Sequence, residues 1–401
     1  MTSREVQLKD VLDIQWGDTK TTKASYVPEG YLAYSATGPD GFLEKFDYDR
    51  EGIILSAIGA NCGSTFFASG KWSCIKNTIR IFPKSEEIDL KYFFYMTKAK
   101  DFWPIRGSAQ PFISQTDIRE LYVHIPEIKI QRKIGEILYT LEKKISVNSE
   151  LSKTLENIAQ TIFKSWFIDF DPVKAKMAGE KPEGMDDATA ALFPDSMEES
   201  ELGLIPEGWN VSGLNEFAKP RKELAKVSSL DSQTNYVGLE HLPRNSLFFR
   251  TWSSAEKVQS GKSVFRRNDI LFGKLRPYFH KVVVSPVSGV CSTDIVVIQS
   301  PDSKIDPYTA CLVNQDEFIT FVTNRSSGTR MPRTSWQEMC EFRIAFPGLD
   351  LMQKFNELME PLFLFAISVC LESNELETIR ETLLPRLISG ELQIPEEMLA
   401  S

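Results

Sequence analysis

Apolar residues recur at alternating spacings of four and three in two long stretches of the chain, and the stretches match at a constant offset of 221 residues. Pro126 and Pro347 each close a short strand-like run, Leu121-Tyr-Val-His-Ile125 and Phe342-Arg-Ile-Ala-Phe346. Beyond them Ile130 maps onto Leu351, Ile134 onto Phe355, Ile137 onto Leu358, Leu141 onto Leu362, Leu155 onto Leu376, Ile158 onto Ile379 and Ile162 onto Leu383. Such spacing is the heptad signature of a coiled-coil seam. It predicts two long helices, the first running from Ile130 to Trp166, roughly 54 Å at about 1.5 Å per residue. Asn148 occupies a seam position whose mate is Val369; a buried Asn at such a place can fix register. Pro361 falls inside the second pattern, where it should kink the helix or mark a late start.

The segments preceding the helices also match, more loosely. Gly52-Ile-Ile-Leu-Ser-Ala-Ile58 parallels Asp269-Ile-Leu-Phe-Gly-Lys-Leu275, and each is followed by a β-branched run, Ile79-Arg-Ile81 or Ile295-Val-Val-Ile298. Gly107-Ser-Ala-Gln-Pro111 parallels Ser327-Gly-Thr-Arg-Met-Pro332. Short alternating stretches rich in Val, Ile, Phe, Gly and Pro read as mixed α/β domains. The expected fold is α+β, with two mixed α/β domains separated by two long antiparallel coiled-coil helices in an internal pseudo-two-fold repeat. The divisions are a first domain over 1–126, a helix over 127–170, a Pro/Gly/acid-rich linker over 171–204, a second domain over 205–347, and a second helix with its tail over 348–401. Antiparallel pairing would set the two domains at opposite ends of a rod. Trp166, Phe167 and Phe170 crowd the end of the first helix and are expected to lie under the second domain.

Composition narrows the class. The 401 residues are 42% hydrophobic and 25% charged, as in an ordinary globular protein. There is no run of 18 apolar residues, and Met1 to Asp10 lacks the apolar region of a secretory signal, so a cytoplasmic protein is expected. Six scattered cysteines and three histidines show no metal-ligand spacing, and reduced, mostly buried thiols are expected. The net charge of -9 is uneven. Basic residues number 15 against 16 acidic in 1–125, 10 against 15 in 126–204, 18 against 14 in 205–347, and 3 against 10 in 348–401. The two globular segments are therefore where a phosphate backbone would be tolerated. The acidic tail suits a protein-docking surface.

Two unlike modules on a symmetric frame fit a duplex target with two unlike halves, the helix length setting the gap between them. Candidate DNA contacts are polar or basic residues in Gly/Pro loops: Lys20 and Lys23; Arg106, Ser108 and Gln110; Lys274, Arg276 and Tyr278; and Thr329, Arg330 and Arg333. Arg can grip guanine edges and Gln adenine edges, while Lys and Thr suit phosphates. Catalytic motifs are missing. Gly261-Lys-Ser263 ends like a phosphate loop, but Glu256 stands where its first glycine belongs, and no dinucleotide-binding, methyltransferase, nucleophile-elbow or zinc-protease signature occurs. A stand-alone nuclease and a scaffold without a nucleic-acid role are the competing classes.

Four segments carry a family resemblance: Gln131-Arg-Lys-Ile-Gly-Glu-Ile-Leu138, Phe163-Lys-Ser-Trp-Phe-Ile-Asp-Phe-Asp-Pro-Val-Lys-Ala-Lys176, Leu202-Gly-Leu-Ile-Pro-Glu-Gly-Trp209 and Leu383-Leu-Pro-Arg-Leu-Ile-Ser-Gly-Glu-Leu392. In these the chain resembles the specificity subunits of type I restriction–modification systems along its whole length. The resemblance implies two target-recognition domains that read a split DNA sequence, and two helical regions that space them and dock two modification subunits. It implies no catalysis by this chain and no cofactor in it: S-adenosylmethionine belongs to the methyltransferase partners and ATP to the motor–nuclease partner. Base-contacting residues do not carry over. Gln353, standing where Arg132 lies in the first copy, and Pro361 depart from the pattern and leave the start of the second helix open.

Overall fold

The computed structural model describes residues 3–300, 304–328 and 331–399. The two long helices are Ile128–Phe167 and Leu349–Ile388, of 40 residues each. Both their starts and their ends are separated by the 221-residue offset. The second helix begins at Leu349 and continues through Pro361 and Pro385, so Pro361 marks no late start. Pro361 lies on the exposed face, where water can satisfy the carbonyl left without a partner four residues earlier. The helices pack antiparallel: Phe163, Trp166 and Phe167 meet Phe355, whereas Asn148 meets Val369 and Glu372. Asn148 is buried, and its amide donates to the Glu372 carboxylate (2.7 Å) and to the carbonyl of Val369, its own repeat mate (3.4 Å).

The structure divides into two units, residues 1–144 with 376–401, and residues 145–375. Both divisions fall inside the long helices. In the first unit one sheet has the order Leu12–Trp16, Thr78–Pro83, Gly52–Ser56, Thr65–Ala68. A second sheet runs Gly38–Leu43, Tyr31–Ser35, Lys71–Cys74, Tyr48–Asp49, its middle pair parallel. Ser3–Gln7 pairs with Tyr122–Pro126. The run Ile53-Ile-Leu55 is apolar throughout because both faces of its strand are covered. Ile53 and Leu55 join Ile14, Ile79, Ile81 and Phe93 on one side, and Ile54 joins Tyr34 and Trp72 on the other. Ile134 and Leu138 of the first long helix close the larger core together with Leu387 and Ile394. The C-terminal segment therefore completes the first unit. Gly135 faces the short helix Leu90–Met96, where a Cβ would sit 2.7 Å from the Tyr92 nitrogen.

The second unit repeats this plan by itself. Its first sheet has the order Lys219–Pro220, Ile295–Gln299, Ile270–Gly273, Val282–Val284. Its second runs Ser253–Ser254, Asn235–Val237, Gly289–Cys291, Lys262–Phe265, Leu224–Ala225, with Asn235–Val237 and Gly289–Cys291 parallel. Asn210–Gly213 pairs with Arg343–Phe346. Residues 171–204 carry the helices Asp171–Met177 and Asp187–Ala190, and Val173 and Phe193 are buried in the main core with Trp166, Phe167 and Trp209. Cys74 and Cys291 sit at matching places in the two units, and burial pushes both thiols up to about 12.

The heptad reading needs one correction. Ile158, Leu358 and Ile379 are 41%, 41% and 45% exposed. In the first helix the buried residues Ile134, Ile145, Glu156 and Phe167 step by 11 residues, a period of 3.67 per turn. A strict seven-residue reading drifts away from that stripe, so Ala159 and Met359 are buried beside the exposed Ile158 and Leu358. Much of each helix packs on a globular core: Leu155, Phe163, Phe355 and, half-buried, Ile162 and Leu362 join the second unit's core, and Ile134, with Ile137 and Leu383 half-buried, the first unit's. Val369 is buried, and Leu141 and Leu376 are half-buried.

Candidate nucleic-acid interface

In the first unit three connections meet at the turn following Cys74. Asp18 N–H donates to the Cys74 carbonyl (2.9 Å), Lys76 N–H to Thr21 (3.2 Å) and Ala57 N–H to Asn77 (2.9 Å). The turn 57–64 in turn holds the loop 106–112, through Ile113 N–H to Ala57 (2.9 Å) and Gly59 N–H to Pro111 (2.9 Å). Arg106 and Phe112 exchange two main-chain hydrogen bonds, 2.9 and 2.8 Å, so residues 107–111 form a closed tip. Ser108 and Gln110 lie exposed on that tip. Arg106 is exposed but paired with Asp117 at 2.5 Å.

Lys23 is drawn into the protein's own network. Its ammonium donates to Asp40 (2.5 Å) and Thr37 (2.9 Å), and Asp40 also accepts from Tyr26 (2.8 Å) and Ser35 (2.7 Å). Partial burial raises the Asp40 pKa, but these donors outweigh it and hold the carboxyl well below the usual range. Lys20 is exposed, its main-chain N–H donating to Asp18 at 2.9 Å.

The second unit has the same frame. Lys274 N–H donates to Asp294 (2.9 Å), Thr334 N–H to Lys274 (3.0 Å) and Arg276 N–H to Pro332 (2.7 Å), while Ser327 and Arg333 exchange bonds of 3.1 and 2.9 Å. Each has its counterpart in the first unit, at an offset of 217 residues for the turn and 221 for the loop. The structure thus brings Lys274, Arg276, Tyr278 and Arg333 together. Thr329 and Arg330 lie outside the described residues. Arg333 pairs with Asp294 at 3.3 Å, and Tyr278 is 50% exposed. Arginine forks, amides and an aromatic edge on a rigid main-chain frame can grip phosphates and base edges. Among the described residues no group of three His, Cys, Asp or Glu side chains is placed to hold a metal ion.

Residues 2–157 match the family model described as the type I restriction modification DNA specificity domain. The chain is 24% identical over 433 residues to the type I restriction enzyme MjaIX specificity subunit of Methanocaldococcus jannaschii, covering 97% of this chain and 93% of that one. It is 25% identical to the EcoDI specificity subunit of Escherichia coli, covering 87% and 80%. Over most of its length the chain is thus similar in sequence to type I restriction–modification specificity subunits. The crystal structure of the type I restriction–modification system S subunit from M. genitalium shares the fold of this chain, with a TM-score of 0.63 at 16% identity and 96% of each chain covered.

Three residues of this interface escaped the sequence reading. Asn61 sits on the turn 57–64, Asn77 anchors Ala57, and Asp294 joins Lys274 to Arg333. Continuing the match of Gly52–Ile58 with Asp269–Leu275 through the next residues would have found the paired turns. No helix of the described chain is long and apolar enough to cross a membrane.

Proposed function

We propose that this chain reads a bipartite, asymmetric duplex DNA target, one part with each unit, and itself performs no catalysis. The observation that carries this is the recurrence of one hydrogen-bonded turn-and-loop frame in both units with unlike side chains: Gly59, Asn61, Ser108 and Gln110 in the first, Arg276, Tyr278 and Arg333 in the second. A shared frame keeps the mode of approach, and different side chains select different bases. Relatives named specificity subunits support the reading. In the assembled complex, placed in the cytoplasm, two modification subunits dock on the helices and supply S-adenosylmethionine, and motor–nuclease subunits supply ATP. The paired helices set the gap between the two parts of the target.

The test is to express the chain with its modification subunits and sequence the methylated positions in host DNA. A two-part motif with a fixed gap is expected. Arg333→Ala should relax one part and leave the other intact; equal loss in both parts overturns the assignment of one unit to each. Removing residues 134–140 together with 355–361 should change the tolerated gap, and an unchanged gap would show that the helices are not the spacer.

A further inference from the structure

The turns 59–63 and 276–280 occupy matching places in the two units, and both need left-handed backbone at their first and last residues. In the first unit these are Gly59 (φ 101°) and Gly63 (φ 93°); in the second they are Arg276 (φ 53°) and His280 (φ 50°). A Cβ in this region crowds the neighbouring carbonyl, which is why glycine is the ordinary occupant. Arg276 also precedes Pro277, which disfavours anything but extended backbone. His280 has a reason inside the protein: its Nε2 lies 3.0 Å from the Asn314 carbonyl and 2.9 Å from the Asn314 side-chain oxygen, and its Nδ1 lies 3.5 Å from Asp316.

Arg276 has no such reason. Its Nε is buried with no hydrogen-bond partner, and its guanidinium pairs with no described carboxylate, whereas Arg106 and Arg333 are held by Asp117 and Asp294. The Phe279 ring is 5.9 Å from its guanidinium and is already covered by Arg244 at 4.0 Å. Beside it, Tyr278 stands half out of the surface, edge-on to Phe279 at 4.9 Å. The main chain holds the conformation, through Arg276 N–H to Pro332 (2.7 Å), as it does at Gly59, but nothing there calls for an arginine side chain; strain kept for such a side chain points to function.

We infer that Arg276 is a specificity-determining side chain of the second unit: it reads a base edge, guanine offering the acceptor pair its fork matches, with Tyr278 packed against the DNA next to it. The first unit's counterpart turn reads differently, through Asn61 and bare backbone. This inference rests on the function proposed above.

Arg276→Gly restores the residue the backbone favours, so the variant folds. The full chain carrying it, assembled with its modification subunits, is compared with the wild type in thermal unfolding, in modification rate on duplexes bearing the wild-type motif, and in methylated-site sequencing. The midpoint should rise by about 2–4 °C, the rate should fall roughly ten- to hundredfold, and the motif should lose one guanine requirement in one part only. Arg276→Lys, which keeps the charge without the fork, should lose that requirement too. A wild-type rate and motif in Arg276→Gly, or an intact guanine requirement in Arg276→Lys, overturns the inference while leaving the two-part reading standing. A wild-type complex that marks no two-part motif removes both.

Discussion

The two units share a strand order but not the links between strands. In the first, residues 36 and 37 join Tyr31–Ser35 to Gly38–Leu43; in the second, residues 238–252 join the matching strands Asn235–Val237 and Ser253–Ser254. The longer link folds back on the long helices: Leu247 and Phe248 enter the main core, and Leu247 N–H donates to the buried Glu156 carboxylate at 2.9 Å. A second difference lies inside the sheet. Asp269 is fully buried and takes a two-pronged grip from Arg221, 2.7 and 2.9 Å, where the first unit has Gly52 and Gln15 at the matching strand positions. Duplicated apolar alternation preserves the frame, while links and isolated polar pairs are free to diverge.

The largest expected effect comes from the aromatic cluster where the helices meet the second unit. Phe355→Ala should cost about 3–5 kcal/mol. Hydrogen exchange should show the loss across 145–375 with protection retained in 1–144; equal loss in both would mean that they do not unfold as separate cooperative units. Asp269→Ala strips a buried arginine of its partner and should cost about 3–5 kcal/mol as well. Chemical denaturation of the variant that showed no destabilisation would make the second unit's ion pair an ornament on the plan shared with the first.

Glu156 supplies a test in pH. Burial pushes its carboxyl up to about 7, against the bonds from Leu247 and Ser246 that pull it down. Below the unfolded value near 4.5 both states hold the proton and the group is neutral toward stability. As pH rises through the window from there to about 7, the unfolded chain releases the proton first, so stability falls. Glu156→Gln should remove that fall, a difference of order 3 kcal/mol between pH 4 and pH 8. Parallel wild-type and variant pH profiles would show that the second unit's long link does not impose this burden. The smallest effect is expected at Ile158: a lysine there should change stability by less than about 0.5 kcal/mol, whereas Ala159→Lys should prevent native packing, as circular dichroism melts would report.

The helices were the most legible part. Heptads and the 221-residue offset locate the first to within a few residues and the second except for its start, which Pro361 obscured, because a long apolar stripe has few alternatives. The phase along the stripe was not legible, since whether helices supercoil or pack straight on a core depends on partners distant in sequence; hence the exposed Ile158, Leu358 and Ile379. At the candidate interface, the Gly107 and Ser327 segments were readable as loops from Gly and Pro. That Lys23 is tied to Asp40 was not, because the pairing joins residues across a turn that carries no signal of its own. Arg276 was legible as a basic residue but not in its conformation, since an Arg-Pro step reads as extended chain.

The placement of Leu387 and Ile394 in the first unit's core has a consequence for biogenesis. The unit synthesised first lacks its closing segment until the whole of the second, continuous in sequence from 145 to 375, has been made. On the ribosome the usual order of maturation is thereby reversed, and a prematurely terminated chain leaves its amino-terminal half open.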